Sequence, residues 1–263
     1  MVKDARANQF ESAPQSVIAV GNEYPAGYFH PPHRHQRAQL LYAEYGTMIV
    51  ETEEGGWVVP PREGVWIPHG IQHSIRMQSN VATRSVYFDR ETSERFPRHC
   101  QVIGVSPLLR QLLIAAVDLP VEYDRQSRAG RIMTLIVDET RDAPVLPLST
   151  PFPSQDEPRQ ARLAAACRKF LESPSIRNSI DDWCADLAMS RRSFTRLFRR
   201  ETGLSFSAWR RRACLQAALP RLVGGASITT VALDLGYSSP SAFTAMFTRH
   251  MGRSPQEFVR MSD

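Results

Sequence analysis

Cysteine is scarce in this sequence, and no two cysteines are spaced as a motif. The four are Cys100, Cys167, Cys184 and Cys214, with no CxxC pair among them. That argues against a disulfide framework, a zinc ribbon or a thioredoxin-like redox site. They read as reduced, mostly buried small residues. No window approaches eighteen uninterrupted apolar residues, so no membrane span is expected. Residues 1–16 lack the apolar core of a signal peptide, which places the protein in the cytoplasm by expectation. Lysine is nearly missing, with only Lys3 and Lys169. The basic charge is therefore carried by arginine, the side chain that suits phosphate and guanine. That bias runs through the whole chain and carries little weight by itself.

What is present divides in two. A length of 263 residues allows two modest domains. Residues 159–263 hold 17 basic and 8 acidic side chains, a balance of +9, whereas residues 1–158 hold 15 and 19, a balance of −4. A basic C-terminal part on a slightly acidic N-terminal part points to a polyanionic partner for one domain only.

Residues 17–90 are rich in strand formers. Short runs at 38–44, 47–52, 57–59, 65–68, 73–77 and 81–88 are punctuated by glycine and proline, the pattern of a barrel or jelly roll. Glu53-Glu54-Gly55-Gly56 is expected as a hairpin turn. Residues 106–118 and 127–140 show apolar residues at helical spacing, with Ser106-Pro107 as a helix start. These two helices either pack on the barrel or form a dimer interface. Residues 144–158 contain five prolines and are expected as a linker.

The C-terminal part repeats one unit. Ser179-Ile180-Asp181-Asp182 fits a capping box. Its helix ends near Ala188-Met189, Ser190 caps a second helix over 191–202, and Gly203 stops it. On that second helix Phe194, Leu197 and Phe198 share one face. Arg192, Thr195, Arg196 and Arg199 fall on the other, with Arg191 and Arg200 flanking them. The pattern recurs. Ile228, Val231, Ala232 and Leu235 make one helix; Ser239-Pro240 starts the next, which carries Phe243 and Phe247 and ends at Gly252. Phe194/Phe198 and Phe243/Phe247 share a four-residue spacing, and each second Phe precedes its glycine by five residues. Two tandem helix-turn-helix units are the reading. A helix of 205–219, ending before Pro220, separates them, so that both units could meet successive major grooves of double-stranded DNA.

These residues, together with Leu187-Ala188, Arg212, Gly236-Tyr237, Ser254-Pro255 and Phe258, resemble the DNA-binding domain of AraC/XylS-type regulators. The resemblance covers about a hundred residues. It implies base contacts from Arg192, Thr195, Arg196 and Arg199 in the first unit, and from Ser241, Ala242 and Ala245 in the second. Ala245 stands where members often carry Arg, so the second unit is expected to hold phosphates through Ser239, Ser241, Thr248 and Arg249.

The front half carries Gly27-x5-His33-x-His35-x3-Gln39-x6-Gly46 and Pro68-x-Gly70-x2-His73. These resemble cupin motifs. Two histidines alternating on one strand point to one side, and a third from a neighbouring strand could meet them. Three imidazoles suit a divalent Zn, Fe, Ni or Cu ion. Gln39 stands where metal cupins carry Glu, and Met77 where Asn is usual. His33, His35, Gln39 and His73 therefore hold either a metal or an organic effector, and a metal-dependent cupin enzyme is disfavoured. Tyr24, Trp66 and Arg76 are further candidates for the pocket, though packing or surface roles suit them better.

The combined expectation is an α+β multidomain protein. A cupin-like effector and dimerisation barrel with two following helices spans 1–143, a linker 144–158, and an all-α tandem helix-turn-helix domain 159–263. The expected role is a transcription regulator, activator or repressor, and not an enzyme. Its partners would be DNA, a small effector, a second copy of itself and, in an activator, RNA polymerase, with no membrane. The two halves together resemble a subgroup in which some members, including a repressor of 2-nitroimidazole efflux, control a neighbouring transporter gene.

Overall fold

A computed structural model describes residues 13–262; most of the expectation concerning a leader in 1–16 lies outside the described residues. The chain divides into two compact units, one of Met1–Val50 with Val58–Leu146, the other of Glu51–Trp57 with Pro147–Met261.

Residues 17–146 hold a run of antiparallel strands. β1 (Val17–Tyr24), β2 (Phe29–His33), β3 (Ala38–Tyr45), β4 (Met48–Thr52), β5 (Gly55–Val59), β6 (Glu63–Ile67), β7 (His73–Met77), β8 (Val81–Phe88), β9 (Gln101–Gly104) and β10 (Val145–Leu146) follow in order. One sheet runs β1-β8-β3-β6-β9-β10; in the other, β5, β4, β7 and β2 are successive neighbours. Strand alternation sets what each face does. On β3, Ala38, Leu40 and Tyr42 join Val86, Phe88 and Trp66 in one apolar core. The intervening Gln39 and Leu41 turn the other way, beside Ser85 and Tyr87, and line an interior cavity. The sheet thus has an apolar outer face and a polar inner one.

A short helix, α1 (Arg90–Ser93), precedes β9; α2 (Pro107–Ala116) and α3 (Arg128–Arg141) follow it. Ser106 and Ser127 cap α2 and α3, accepting from the N–H groups of Leu109 and Gly130. Leu109, Leu113, Ala116, Met133 and Ile136 complete the outer core. Each of the buried leucine, isoleucine and methionine side chains contributes about 1.5–3 kcal/mol. Both helices therefore pack on the sheet, while Leu108 and Leu135 on the same helices stay exposed. Gly46 makes the β3–β4 turn at φ +77°, where an added Cβ would lie 2.1 Å from the Asn80 carbonyl oxygen.

The Glu53–Gly56 turn expectation is corrected. Only residues 53–54 turn, and Gly55 and Gly56 open β5. A Cβ on Gly55 would meet the Thr150 carbonyl oxygen at 2.8 Å, so glycine here serves a close strand approach. The approaching strand is β11 (Ser149–Pro151), paired with Gly55–Trp57. The proline-rich stretch 144–158 thus contains two short strands, β10 and β11. Pro144 and Pro147 flank β10, Pro151 ends β11, and Pro158 opens a helix, where the missing N–H costs least.

The second unit is otherwise helical: α4 (Pro158–Glu172), α5 (Ile180–Asp186), α6 (Arg191–Thr202), α7 (Phe206–Val223), α8 (Ile228–Asp234), α9 (Pro240–Met251) and α10 (Pro255–Ser262). Trp183 is its hub, with ring centroids 5.0–6.3 Å from those of Phe170, Phe194, Phe198, Phe206 and Trp209. A second aromatic group, Tyr237, Phe243, Phe247 and Phe258, holds α8, α9 and α10. Gln216 is buried on α7 and donates to the carbonyls of Gly56 and Leu148 at 3.2 and 2.8 Å. The expected stop before Pro220 is corrected, since α7 continues to Val223. Proline removes one i−4 bond, but only a single turn remains beyond it, and fully buried Leu219 and Leu222 hold that turn down.

Candidate functional site

The two helix pairs α5–α6 and α8–α9 are built alike. Ser190 caps α6 by accepting from Ser193 N at 3.3 Å, and Ser239 caps α9 by accepting from Ala242 N at 3.2 Å. Both second helices end on a left-handed glycine, Gly203 and Gly252, each at φ 70°. The tight turn between paired helices needs a left-handed residue as well. Gly236 takes it at φ 82° in the second unit, and Ala188 at φ 51° in the first. The inward faces are Phe194/Phe198 and Phe243/Phe247, all fully buried.

Burial of those faces leaves the opposite ones in solvent. On α6, Arg191, Arg192, Thr195, Arg196, Arg199 and Arg200 are all exposed. They differ in what they touch. Arg191 Nη2 lies 3.0 Å from Asp181 Oδ2, and Arg200 Nη2 lies 2.7 Å from Glu201 Oε1. Among the described residues, Arg192, Arg196 and Arg199 have no acidic partner. Three guanidiniums and one hydroxyl therefore form an uncompensated row above an aromatic keel. The two acids beside the row are Glu201 at its end and Asp181, ten residues before Arg191. On α9, Ser241, Ala242, Ala245, Thr248 and Arg249 are exposed, and Ser239 is half-buried as the cap. One cation and three hydroxyl groups give this face far less charge than α6.

The barrel residues also come together. His33 ends β2 and pairs with His73 on β7, after a register break between His30 and His33. The expectation of His33 and His35 on one strand is corrected: β2 stops at His33, and His35 lies in the loop before β3. The consecutive prolines Pro31 and Pro32 cannot donate to the ladder, which is broken there and resumes only at His33. The imidazoles meet nonetheless. Ring centroids of His33 and His35 are 4.9 Å apart, of His33 and His73 4.3 Å, and of His35 and His73 5.4 Å.

Backbone carbonyls orient two of the rings. His33 Nδ1 donates to the Pro31 carbonyl at 2.8 Å, and His73 Nδ1 to the Ile71 carbonyl at 3.0 Å. The His73 ring then turns its Nε2, buried and without a hydrogen-bond partner, away from that carbonyl. His73 is 1% exposed, and burial holds its pKa down at about 3, so it is neutral at physiological pH. Gln39 is held by its amide nitrogen, which donates to Ser85 Oγ at 3.1 Å and Tyr87 Oη at 3.2 Å. His30 was not singled out in the sequence, yet its ring lies 4.0 Å from that of His33; the His-Pro-Pro-His spacing was the available signal. Tyr24 lines the same cavity. Trp66 does not: it belongs to the outer core and donates to the Pro97 carbonyl at 2.9 Å. Arg76 is at the surface, 4.6 Å over the Phe29 ring.

An N-terminal barrel with a polar interior and a C-terminal pair of helix-turn-helix units define a DNA-binding regulator with its own ligand domain. Family comparison agrees in both parts. Residues 183–261 match a helix-turn-helix domain, and residues 16–137 match an AraC-like ligand binding domain. The HTH-type transcriptional regulator NimR of Escherichia coli (strain K12) is 31% identical over 229 residues, covering 87% of this chain and 82% of NimR. The HTH-type transcriptional regulator RipA of Corynebacterium glutamicum is 34% identical over 111 residues, 41% of this chain and 32% of RipA. Among solved structures, ToxT from Vibrio cholerae O395 aligns with a TM-score of 0.39 and 10% identity, over 94% of this chain and 98% of that one. The chain belongs to the AraC family of helix-turn-helix transcription regulators. No helix among the described residues is long and apolar enough to cross a membrane.

Proposed function

We propose that the chain reads DNA mainly through α6 and responds to an effector held by His33, His35, Gln39 and His73. The observation that carries this is the row Arg192, Thr195, Arg196 and Arg199, exposed and uncompensated on a helix whose other face is buried aromatic. Arg and Thr at this spacing can reach base edges in a major groove. The α9 face, with Ser239, Ser241, Thr248 and Arg249, suits phosphates, and Ala242 and Ala245 suit apolar contact. We assign the protein a binding role, with no catalysis, in the cytoplasm. It works as a homodimer through the exposed Leu108 and Leu135 of α2 and α3, each at least 39% exposed. As an activator it would also meet RNA polymerase. A neighbouring transporter gene is the target favoured by the subgroup it resembles.

The test is binding of full-length protein to a labelled fragment from upstream of its own gene, against random DNA, over a salt series. Preference for the upstream fragment that survives rising salt supports the reading. Equal binding that collapses on both DNAs leaves only charge attraction and sinks it.

A further inference from the structure

The interior cavity lined by His30, His33 and His35, whose rings adjoin that of His73, is small. Its volume is about 30 Å³. Drug-sized ligands take pockets of roughly 300 Å³ or more. An organic effector does not fit here without rebuilding the barrel, whereas an ion with a water or two does.

The donor set agrees with the size. Among the described residues, one atom from each of His33, His35 and His73 forms a metal-competent group, with all three atoms within 4.8 Å of one another. Zinc–imidazole bonds of about 2.0–2.1 Å put tetrahedral ligand nitrogens roughly 3.3 Å apart, so small side-chain rotations close the set. The Nε2 of His73 is fully buried with no hydrogen-bond partner. Its Nδ1–H is fixed on a backbone carbonyl, the outer contact that orients metal-binding histidines. His33 has the same backbone anchor. A lone pair buried without a donor is costly unless something electron-poor occupies its front.

The lining also selects the ion. Asn22, Tyr24, Gln39, Met77, Ser85 and Tyr87 surround the histidines, with no carboxylate among the described lining residues. Hard Mg2+ and Ca2+ need oxygen anions and are disfavoured. Neutral imidazoles suit the later first-row divalent ions.

We propose that His33, His35 and His73 bind a late first-row divalent ion such as Zn2+, Ni2+ or Cu2+, and that this ion is the barrel's effector. This rests on the reading that barrel occupancy governs DNA binding. Gln39 stays on Ser85 and Tyr87 and leaves one position on the ion open to water.

The test uses full-length protein stripped by chelator and titrated with Co2+ under visible spectroscopy, then displaced with Zn2+. The expected result is one equivalent of Co2+ with the ligand-field absorption of nitrogen donors in low coordination. His33→Ala and His35→Ala should each weaken binding by more than about tenfold, and His69→Ala, an exposed histidine outside the three, should leave it unchanged. Thermal melts confirm that the variants fold; His33 is only half-buried, so its variant keeps the test readable even where His73→Ala unfolds. Absence of stoichiometric uptake, or uptake that persists in the His33→Ala/His35→Ala double variant, overturns the site. Operator binding is measured on the same samples. Uptake without a change in operator affinity overturns the ion as effector. An operator response to an organic compound in protein that takes up no metal overturns the metal proposal and leaves the regulator reading standing.

Discussion

Ala188 and Gly236 occupy matching turns, and only one of them is glycine. A left-handed alanine costs about 1–2 kcal/mol, of which glycine's own chain entropy returns part. Ala188→Gly should therefore raise stability by about 0.5 kcal/mol in chemical denaturation. Gly236→Ala should lower it by more than about 1 kcal/mol, because the new Cβ also meets Ser175 Oγ at 2.5 Å and Arg177 Cγ at 2.9 Å. Equal effects of opposite sign would show that φ alone decides; a larger loss at Gly236 would show the clash adding to it. Arg196 is the residue at which base reading is most directly tested. If it holds a guanine, Arg196→Ala should cost about 1–3 kcal/mol on the operator and much less on random DNA, measured by titration. An equal loss on both would make it a phosphate contact. The histidine trio was legible residue by residue from HxH and a downstream His. Its geometry was not, because the end of β2 depends on prolines and on pairing with β7, and His30 enters only through that fold.

Helix ends are where this chain is easiest to read, since a cap is made by residues three apart. In two of them a carboxylate three residues into the helix reaches back to the cap's N–H. Ser179 N donates to Asp182 Oδ2 at 2.9 Å before α5, and Ser254 N donates to Glu257 Oε2 at 2.7 Å at α10. These bonds hold both carboxyls below the usual range. The folded state then binds these protons less readily than the unfolded chain. Their stabilisation is complete above the ordinary carboxylate pKa of about 4 and is lost as pH falls through the lowered values. Asp182→Asn should flatten the acid limb of a plot of melting temperature against pH; an unchanged limb would remove the box from the account. The caps of α2, α6 and α9 were equally legible. Strands were less so: β2, β9, β10 and β11 are short, and their partners lie far away in sequence, so pairing rather than local propensity makes them. α7 ran past Pro220 for a similar reason, with buried leucines outweighing a local breaker.

At the scale of the whole molecule, the sequence shows two properties directly: where charge sits and where thiols do not act. Burial pushes the Cys167 thiol up and that of Cys214 up to about 12, so neither supplies thiolate at neutral pH. Native protein should leave both unalkylated by iodoacetamide until it is unfolded, and rapid native labelling at Cys214 would reopen a redox role. Charge is the stronger statement. Residues 159–263 carry +9 and residues 1–158 carry −4. A net +5 spread evenly would attract DNA weakly from every side, whereas this distribution concentrates the positive charge in residues 159–263. On the proposed reading, in which α6 and α9 meet DNA, Arg191 and Arg200 already hold acids, and the counterions released would come largely from Arg192, Arg196, Arg199 and Arg249. Each phosphate contact contributes about −0.9 to the slope of log affinity against log salt. Removing Arg199 should therefore flatten the slope by about one on both operator and random DNA if it holds a phosphate. Removing Arg191 should flatten it less, because its charge is partly spent on Asp181. A larger change from Arg191→Ala than from Arg199→Ala would mean that the Asp181 pair opens on DNA, and that the fully uncompensated row is not the whole of the reading surface.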